Sequence, residues 1–326
     1  MAQEYQNYAP GESQISGIGE PITVGRYVNL MNDVAFKIVF GKPENKDLLI
    51  ALLSAVIPDL KIKDLTHIDK EKVGGAVGDK RTVFDLLCET ADGEEVLIEV
   101  QLESQSYFRD RTLYYSAQEL LWQHGKGDDD YSLKPIYVVS FLNFVMNHER
   151  PNKEKFIWRY RLAEVETGEV MSNALNFTYV EMPKFKKTEN ELANEEDDFY
   201  FCLSRMGSLS EQPAKLGTKV FNKLFDEAEF ANMTHDQQRS YIAKMNTERD
   251  IRNQIAYGRK VAMAEGLAEG RSRGRAEGRA EGLAEGKAEG ARLNAVETAR
   301  RLKETGIAVS VIASCTGLSE EEVSAL

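Results

Sequence analysis

The chain has 326 residues, of which 42% are hydrophobic and 29% are charged, which allows one sizeable globular core with an appended region. No run of about 18 apolar residues is present, so the sequence predicts no membrane-spanning helix. The net charge of −12 argues against tight, nonspecific binding to nucleic acid, but it does not exclude an enzyme that releases a polyanionic product.

Residues 1–25 are polar and rich in glycine and serine. They lack the basic start and the apolar centre of a secretory signal, so we expect a flexible N-terminal arm. The three cysteines are far apart, and the four histidines have no metal-ligand spacing. This usage predicts neither a disulfide framework nor a zinc site, and it fits a reducing cytoplasm.

The first helices are predicted between residues 26 and 66. Asn32 and Asp33 are residue types that favour a helix N-cap, and an apolar cluster follows them directly. The next apolar segment, KDLLIALLSAVIP, has helical spacing and stops at Pro58.

Two strand-forming runs come next, TVFDLLCET and EEVLIEVQ, and the turn between them contains Asp92-Gly93. This pattern predicts a β-hairpin. The first run carries Asp85 and the second carries Glu99 and Gln101. The hairpin should bring Asp85 close to Glu99 on the adjacent strand, while Glu99 and Gln101 share one face of theirs.

Carboxylates in such apolar strands admit two interpretations. Buried carboxylates are costly unless they are paired or bind a metal, and two of them form a hard-oxygen site suited to Mg²⁺. Alternatively, a hairpin with one wet face alternates in the same way, with Asp85 and Glu99 solvated on that face. The spacing alone does not decide between a metal site and a solvated face.

The segment SYFRDRTLYYSAQELLWQHG predicts an amphipathic helix, followed by a buried strand at KPIYVVSFLNFVM. Two more strands are expected at FIWRYRLAEVETGEVM and NFTYVEMPKF. The order predicts an α/β core over residues 26–185, with a mixed sheet flanked by helices. An acidic linker at 186–198 and a helical segment at 199–257 should follow.

Residues 258–291 form a repeat in which glycine recurs every four residues. Each glycine in a helix costs roughly 1 kcal/mol relative to alanine, so the segment is predicted to be either a helix held by a partner or a flexible linker. We favour self-association, because small residues allow close backbone contact. Residues 292–326 predict a small helical module, whose acidic last helix suits oligomerisation better than base reading.

Four segments carry a family resemblance: NDVAFKIVFG, DKRTVFDLLCETADGEEVLIEVQ, FRDRTLYYSAQELLWQHGKG and KPIYVVSFLNF. They resemble the PD-(D/E)xK nuclease family transposases, which are grouped with the Rpn recombination-promoting nucleases. The resemblance spans roughly residues 28–145, and a glycine-rich repeat tail also recurs in that family. It implies a restriction-endonuclease-like core and an Mg²⁺- or Mn²⁺-dependent DNA endonuclease, linked to recombination, mobile elements or phage defence.

The resemblance also implies a set of site residues. Asp85, Glu99 and Gln101 match the family's catalytic positions, and Asp33 matches an additional acid near the first helix. Asp85 and Glu99 would bind the metal together with the carbonyl of Val100, and Gln101 would orient the attacking water.

Further candidates lie on the predicted helix after the hairpin. Arg111 matches the family's Arg-x-x-Tyr-Tyr run and would hold the scissile phosphate, with Arg109 and Gln118 as additional substrate-binding residues. Tyr114 and Tyr115 are expected to lie in the core rather than to stack on bases.

One position departs from the parent superfamily, which usually has lysine where this chain has Gln101. Glutamine can orient a water molecule but carries no charge. The alternative function is therefore a catalytically weak or inactive protein of the same fold, which acts through self-association or protein partners by way of residues 258–326.

Overall fold

The computed structural model of the protein describes residues 24–68, 84–123 and 131–326. The predicted N-terminal arm thus lies almost wholly outside the described residues. The chain divides into two compact units, Met1–Glu248 and Arg249–Leu326. None of the helices in the described ranges combines the length and the hydropathy needed to cross a bilayer.

The first unit contains a six-stranded mixed sheet with the strand order β1-β2-β3-β4-β6-β5. Its strands are β1 (Leu65–His67), β2 (Leu86–Thr90), β3 (Glu95–Gln101), β4 (Ile136–Leu142), β5 (Ile157–Ala163) and β6 (Val170–Glu181). Its helices are α1 (Asp33–Phe40), α2 (Lys46–Val56), α3 (Phe108–Trp122), α4 (Glu195–Arg205) and α5 (Lys219–Ala228). The predicted α/β fold with a mixed sheet and flanking helices is confirmed.

The predicted hairpin is also confirmed, since β2 and β3 pair antiparallel. Gly93 in the turn has φ of +82°, a conformation that glycine adopts without strain. Helix α3 connects β3 to β4, and β3, β4 and β6 run parallel in the centre of the sheet. The carboxyl ends of these three strands therefore meet at one edge, which is where ligands bind in open α/β sheets.

The two faces of β3 pack against different layers. Val96, Ile98 and Val100 join the main core, which includes the buried residues of α1, α2, α4 and α5. Leu97 joins a separate cluster beneath Tyr115 of α3. Because side chains alternate along a strand, Glu99 and Gln101 share the α3 face, as the sequence predicted.

The buried face of helix α3 is largely polar, unlike that of most helices that pack on a core. The helix buries the polar side chains of Thr112, Ser116 and Glu119 together with Phe108. Thr112 and Tyr179 of β6 are joined by a hydrogen bond of 2.7 Å between their hydroxyl groups. Helix α3 therefore makes polar contacts with the sheet through Thr112, beside the apolar contacts of Tyr115 and Leu120.

The segment predicted as an acidic linker at 186–198 is part of the folded unit. Helix α4 begins at Glu195, and its first turn contains four acids, where the helix dipole favours negative charge. The side chain of Asn194 caps the helix. Asp197 is buried, and its Oδ2 lies 2.6 Å from Nζ of Lys187.

A single helix, α6 (His235–Glu304), runs through the four-residue repeat. The segment is thus helical in the structure, and a partner packed along it stays a prediction. Its repeat glycines are exposed, and a Cβ atom built on any of them would meet nothing within 4 Å. The glycine face of residues 258–291 is thus open within this chain.

The second unit ends in two short helices, α7 (Val309–Thr316) and α8 (Glu320–Ala325). Ala299 of α6, Ile312 and Val323 form its small core. Ser319 and Glu322 make the predicted capping box at the start of α8.

Candidate active site

Asp85 lies one residue before β2, whereas the sequence analysis placed it on the strand. Its backbone N–H donates to the carbonyl of Ile98 at 2.9 Å. Its side chain accepts a hydrogen bond from the backbone N–H of Val100, at 2.7 Å from Oδ2. Outside β2, the side chain of Asp85 thus accepts the hydrogen bond that a backbone carbonyl of a paired strand would accept from β3. This bond holds the carboxylate beside Val100.

Lys37 of α1 contacts the same carboxylate. Its Nζ lies 2.8 Å from Oδ1 of Asp85, whose side chain is only 8% exposed. Lys37 was not among the predicted site residues, although it interrupts the apolar run VAFKIVF. A cation in the middle of an otherwise apolar helix was the available signal, but its partner lies 48 positions away along the chain.

Asp33, predicted as an additional catalytic acid, lies one turn before Lys37 in α1. Its Oδ2 forms an ion pair of 2.9 Å with Nζ of Lys244, and its Oδ1 accepts from the N–H of Val34 at 2.8 Å. In the described ranges, no group of three or more His, Cys, Asp or Glu side chains converges in a way that could hold a metal. Asp33 is therefore not brought together with Asp85 and Glu99 as a third carboxylate.

Glu99 is paired with Arg111 from α3. Nη2 of Arg111 donates to Oε1 of Glu99 and, at 3.2 Å, to Oε1 of Gln101. Nη1 donates to the side chain of Gln105, and the guanidinium lies 5.3 Å from the ring centroid of Phe108. The structure thus joins three of the predicted site residues in one hydrogen-bonded group, and the Glu99 side chain is only 6% exposed.

Arg109 and Gln118 have other partners. Nη2 of Arg109 donates to the carbonyl of Asn147 at 2.9 Å and lies 3.0 Å from Nδ1 of His148. Nε2 of Gln118 donates to the hydroxyl of Tyr114 at 3.1 Å. These partners are Asn147, His148 and Tyr114, not Asp85 or Glu99, so the predicted contact of Arg109 and Gln118 with substrate stays a prediction.

Only one of the two adjacent tyrosines of α3 packs as expected. Tyr115 packs edge-on against the buried ring of Phe84. Tyr114 is 59% exposed, so the expectation that it lies in the core is wrong. The reason is the polar inward face of α3, which turns Tyr114 toward solvent.

Glu181 is the acceptor at the centre of a buried network at the end of β6. It accepts from the N–H of Met146 at 2.8 Å and from Nε1 of Trp158 at 3.1 Å. His148 Nε2 lies 2.8 Å and Lys184 Nζ 2.7 Å from its oxygens. Burial alone would raise the pKa of Glu181, but the hydrogen bonds from Lys184, His148 and Met146 outweigh it and hold the pKa below its ordinary value.

We expect Glu181→Gln to weaken the dependence of the free energy of unfolding on pH in the acid range. A carboxylate whose folded pKa is depressed stabilises the fold above its unfolded pKa of about 4.3, and this contribution is lost as pH falls through the folded pKa. Urea unfolding from pH 7 to pH 3 should show the parent losing more stability below about pH 4.5 than the variant. Glu154→Gln, at an exposed position, is the control. If Glu181→Gln and the parent lose equal unfolding free energy as pH falls, the pKa of Glu181 is not depressed as stated.

The residues around Val100 fit a hard divalent cation. Asp85 and Glu99 supply carboxylate oxygens, and each already has a side-chain cation beside it, Lys37 or Arg111. Mg²⁺ usually binds through one or two carboxylates and keeps several waters, so two protein carboxylates are sufficient. The described residues bring together no histidine or cysteine cluster of the kind that zinc prefers.

Comparison with known proteins places the chain in one family. No curated protein and no solved structure matched it. The model of one family, described as PD-(D/E)XK nuclease family transposase, matches residues 30–258, which include every residue of the candidate site. Since that match covers well over half of the chain and the fold agrees with it, the protein belongs to the PD-(D/E)XK nuclease family transposases.

Proposed function

We propose that the protein is a divalent-metal-dependent endonuclease that hydrolyses phosphodiester bonds of DNA. The observation that carries the proposal is a pair of nearly buried carboxylates, each in an ion pair: Asp85, which accepts from the N–H of Val100, and Glu99, the residue before Val100. Family membership supplies the reaction class. A cytoplasmic role in recombination, mobile elements or phage defence is part of the same proposal.

The carboxylates of Asp85 and Glu99, with the carbonyl of Val100, would hold Mg²⁺ or Mn²⁺. When bound, such an ion polarises the phosphodiester and lowers the pKa of a water molecule. Gln101 orients the attacking water through its side-chain amide. The amide is itself fixed, because Oε1 accepts from Arg111 and Nε2 donates to the carbonyl of Glu103 at 3.0 Å.

Arg111 holds the scissile phosphate in this proposal. A guanidinium presents two parallel N–H donors to phosphate oxygens, and Arg111 already lies against Glu99 and Gln101. Arg109 and Gln118 would extend the substrate-binding surface along α3. Arg109 would first have to leave Asn147 and His148.

Lys37 compensates for the lysine that Gln101 replaces. Its Nζ lies 2.8 Å from Asp85, and its side chain is 42% exposed, so it is accessible to a substrate. A fixed positive charge beside the reacting phosphate stabilises the negative charge that develops there. We infer that Lys37 of α1 supplies this charge, from the opposite side of the site to Gln101.

The experiment that tests the nuclease proposal is cleavage of supercoiled plasmid DNA by the full chain with Mg²⁺, Mn²⁺ or EDTA. Nicked or linear product should appear with either metal and not with EDTA. Intact plasmid in all three conditions, at micromolar protein, would favour the alternative function, a catalytically weak or inactive protein of this fold that acts through its tail.

One observation favours a role for the tail in assembly, whichever function is correct. The repeat glycines of α6 line an exposed helix with no other part of the described chain against them. The seven glycines from Gly266 to Gly290 cost roughly 5–7 kcal/mol relative to alanine in an isolated helix. We therefore propose that residues 258–326 mediate self-association, with a second copy packing along the glycines.

Truncation after Tyr257 is expected to give a folded monomer, whereas the full chain forms a dimer or larger species. The shortened chain keeps Tyr241, whose hydroxyl accepts from the N–H of Asn29 at 2.9 Å, and Lys244, which pairs with Asp33. Light scattering of both proteins at tens of micromolar measures the difference. A monomeric full chain would contradict self-association, and an oligomeric shortened chain would place the interface in the first unit.

A further inference from the structure

A cleft of about 220 Å³ opens at the carboxyl ends of the three parallel strands. Leu102 follows β3, Asn143 follows β4 and Met182 follows β6, and all three line it. Carboxyl ends of parallel strands are the usual place for ligands in open α/β sheets. None of the reactions proposed above uses this cleft.

The charge of the cleft differs from that of the chain. Two exposed cations, Lys186 and Arg205, line it, and no acidic residue among the described ones does, although the chain has 53 acids and 41 bases. Lys184 and Lys187, on either side of Lys186, pair with buried Glu181 and Asp197. In the described part of the chain, the side chains of Lys186 and Arg205 have no such partner.

Uncharged amide donors also line the cleft, among apolar side chains such as Met182 and Phe185. Asn29 uses its Oδ1 to accept from the N–H of Met31 at 3.0 Å, which leaves its amide N–H groups for a ligand. A Cβ atom at Gly207 would lie 3.0 Å from Cβ of Asn29, so glycine there lets the backbone pack closely and fix Asn29. Asn143 is exposed and adds a second amide. The cleft thus presents N–H donors and positive charge, which suits an anion.

The cleft borders the end of the strand that carries Glu99 and Gln101. Leu102 directly follows Gln101, and the N–H of Asn143 donates to the carbonyl of Gln101 at 2.9 Å. Adjacent strands lie about 4.8 Å apart, so the step from β3 through β4 to β6 covers about 10 Å. At a rise of about 3.4 Å per nucleotide of one duplex strand, that is roughly three nucleotides.

We propose that this cleft binds the sugar–phosphate backbone of the DNA strand beside the scissile phosphate, a role that rests on the proposed nuclease function. Enclosed small-molecule pockets usually have volumes of about 300–1,000 Å³. This cleft is smaller, with a volume of about 220 Å³. It therefore suits a strand that passes through better than a small molecule enclosed within it.

The test is DNA affinity of the full chain in EDTA, measured by fluorescence anisotropy on a labelled duplex of about 20 base pairs. EDTA prevents metal-dependent cleavage, and Lys37 and Arg111 still neutralise the two carboxylates. The variant is Lys186→Gln with Arg205→Gln. The matched control, Lys61→Gln with Arg239→Gln, removes the same charge at exposed positions outside the cleft lining.

The cleft variant should raise Kd at least about tenfold near 100 mM salt, and it should lower the slope of log K against log salt by about 1.8, because two phosphate contacts are lost. The control should change Kd by less than about threefold. Circular dichroism and thermal melting should show both variants folded, since all four positions are exposed.

If the cleft variant and the control lose equal DNA affinity, the cleft does not bind the DNA strand, and the nuclease proposal is unaffected. A parent chain that does not bind DNA in EDTA but cleaves plasmid with Mg²⁺ would overturn the cleft alone, and one that does neither would overturn both. Inorganic phosphate separates a strand from a small anion. If phosphate raises the melting temperature of the parent but not of the cleft variant, while both bind DNA equally, the ligand is a free anion and the proposal fails.

Discussion

Replacing either Asp85 or Glu99 by its amide is expected to lower metal-dependent DNA cleavage by a factor of at least about 10³, which corresponds to about 4 kcal/mol of transition-state stabilisation. The amides are close in shape to the carboxylates, but they lack the negative charge that holds a divalent cation. Initial rates of plasmid nicking at saturating Mg²⁺ measure the effect. Circular dichroism and thermal melting should show that Asp85→Asn and Glu99→Gln remain folded.

Glu95→Gln is the matched control for Glu99→Gln. Both glutamates belong to β3 and, four residues apart, lie on the same face of the strand. Burial raises the pKa of Glu95, so it too is a carboxylate in an apolar setting. Its distance along β3 from Asp85 excludes it from the proposed site, and the variant should keep the parent's rate. If Glu95→Gln is as defective as Glu99→Gln, loss of strand structure explains both.

Lys37→Gln is expected to lower the cleavage rate about 100-fold, within the range of a group that assists proton transfer or phosphate binding. The metal concentration for half-maximal activity should stay the same or fall, because the variant removes a cation beside Asp85. Lys42→Gln is the control, since Lys42 also forms an ion pair, 2.6 Å from Glu227 of α5, and not with Asp85 or Glu99. A rate within threefold of the parent for Lys37→Gln would exclude the proposed role.

Gln101→Lys provides a rescue test of the same idea. It restores the residue usual in the parent superfamily and should raise the rate of the Lys37→Gln variant by more than it raises that of the parent. A purely structural role of Lys37 would not produce this difference. If Gln101→Lys has the same effect in both backgrounds, the two positions act independently, and Lys37 does not replace the missing lysine.

The sequence predicted the parts of the site that depend on local periodicity. The alternation of β3 and the Asp92-Gly93 turn were enough to place Glu99 and Gln101 on one face and Asp85 nearby, because strand period and turn type are short-range properties. Asp85 lies outside β2 because its side chain, not its backbone, accepts the hydrogen bond from Val100. Nothing in the run TVFDLLCET reveals that contact.

Local sequence patterns do not predict contacts between residues that are far apart in the chain. Lys37 meets Asp85 across two different elements, and Arg109 meets His148 in the loop after β4. Tyr114 was misplaced because helical periodicity shows where apolar residues recur but not that α3 buries its polar face. The sequence did not decide whether the repeat is a helix or a linker, because glycine disfavours both an isolated helix and any single fixed conformation.

The central claim is that Asp85 and Glu99 together hold a catalytic divalent cation. Anomalous diffraction from crystals grown with Mn²⁺ tests it most directly, because it locates the ion without requiring turnover. A peak within about 2.0–2.4 Å of oxygens from both Asp85 and Glu99 is the result we expect for a hard divalent cation. An ion bound elsewhere, with Lys37 and Arg111 still paired to the two carboxylates, would contradict the account.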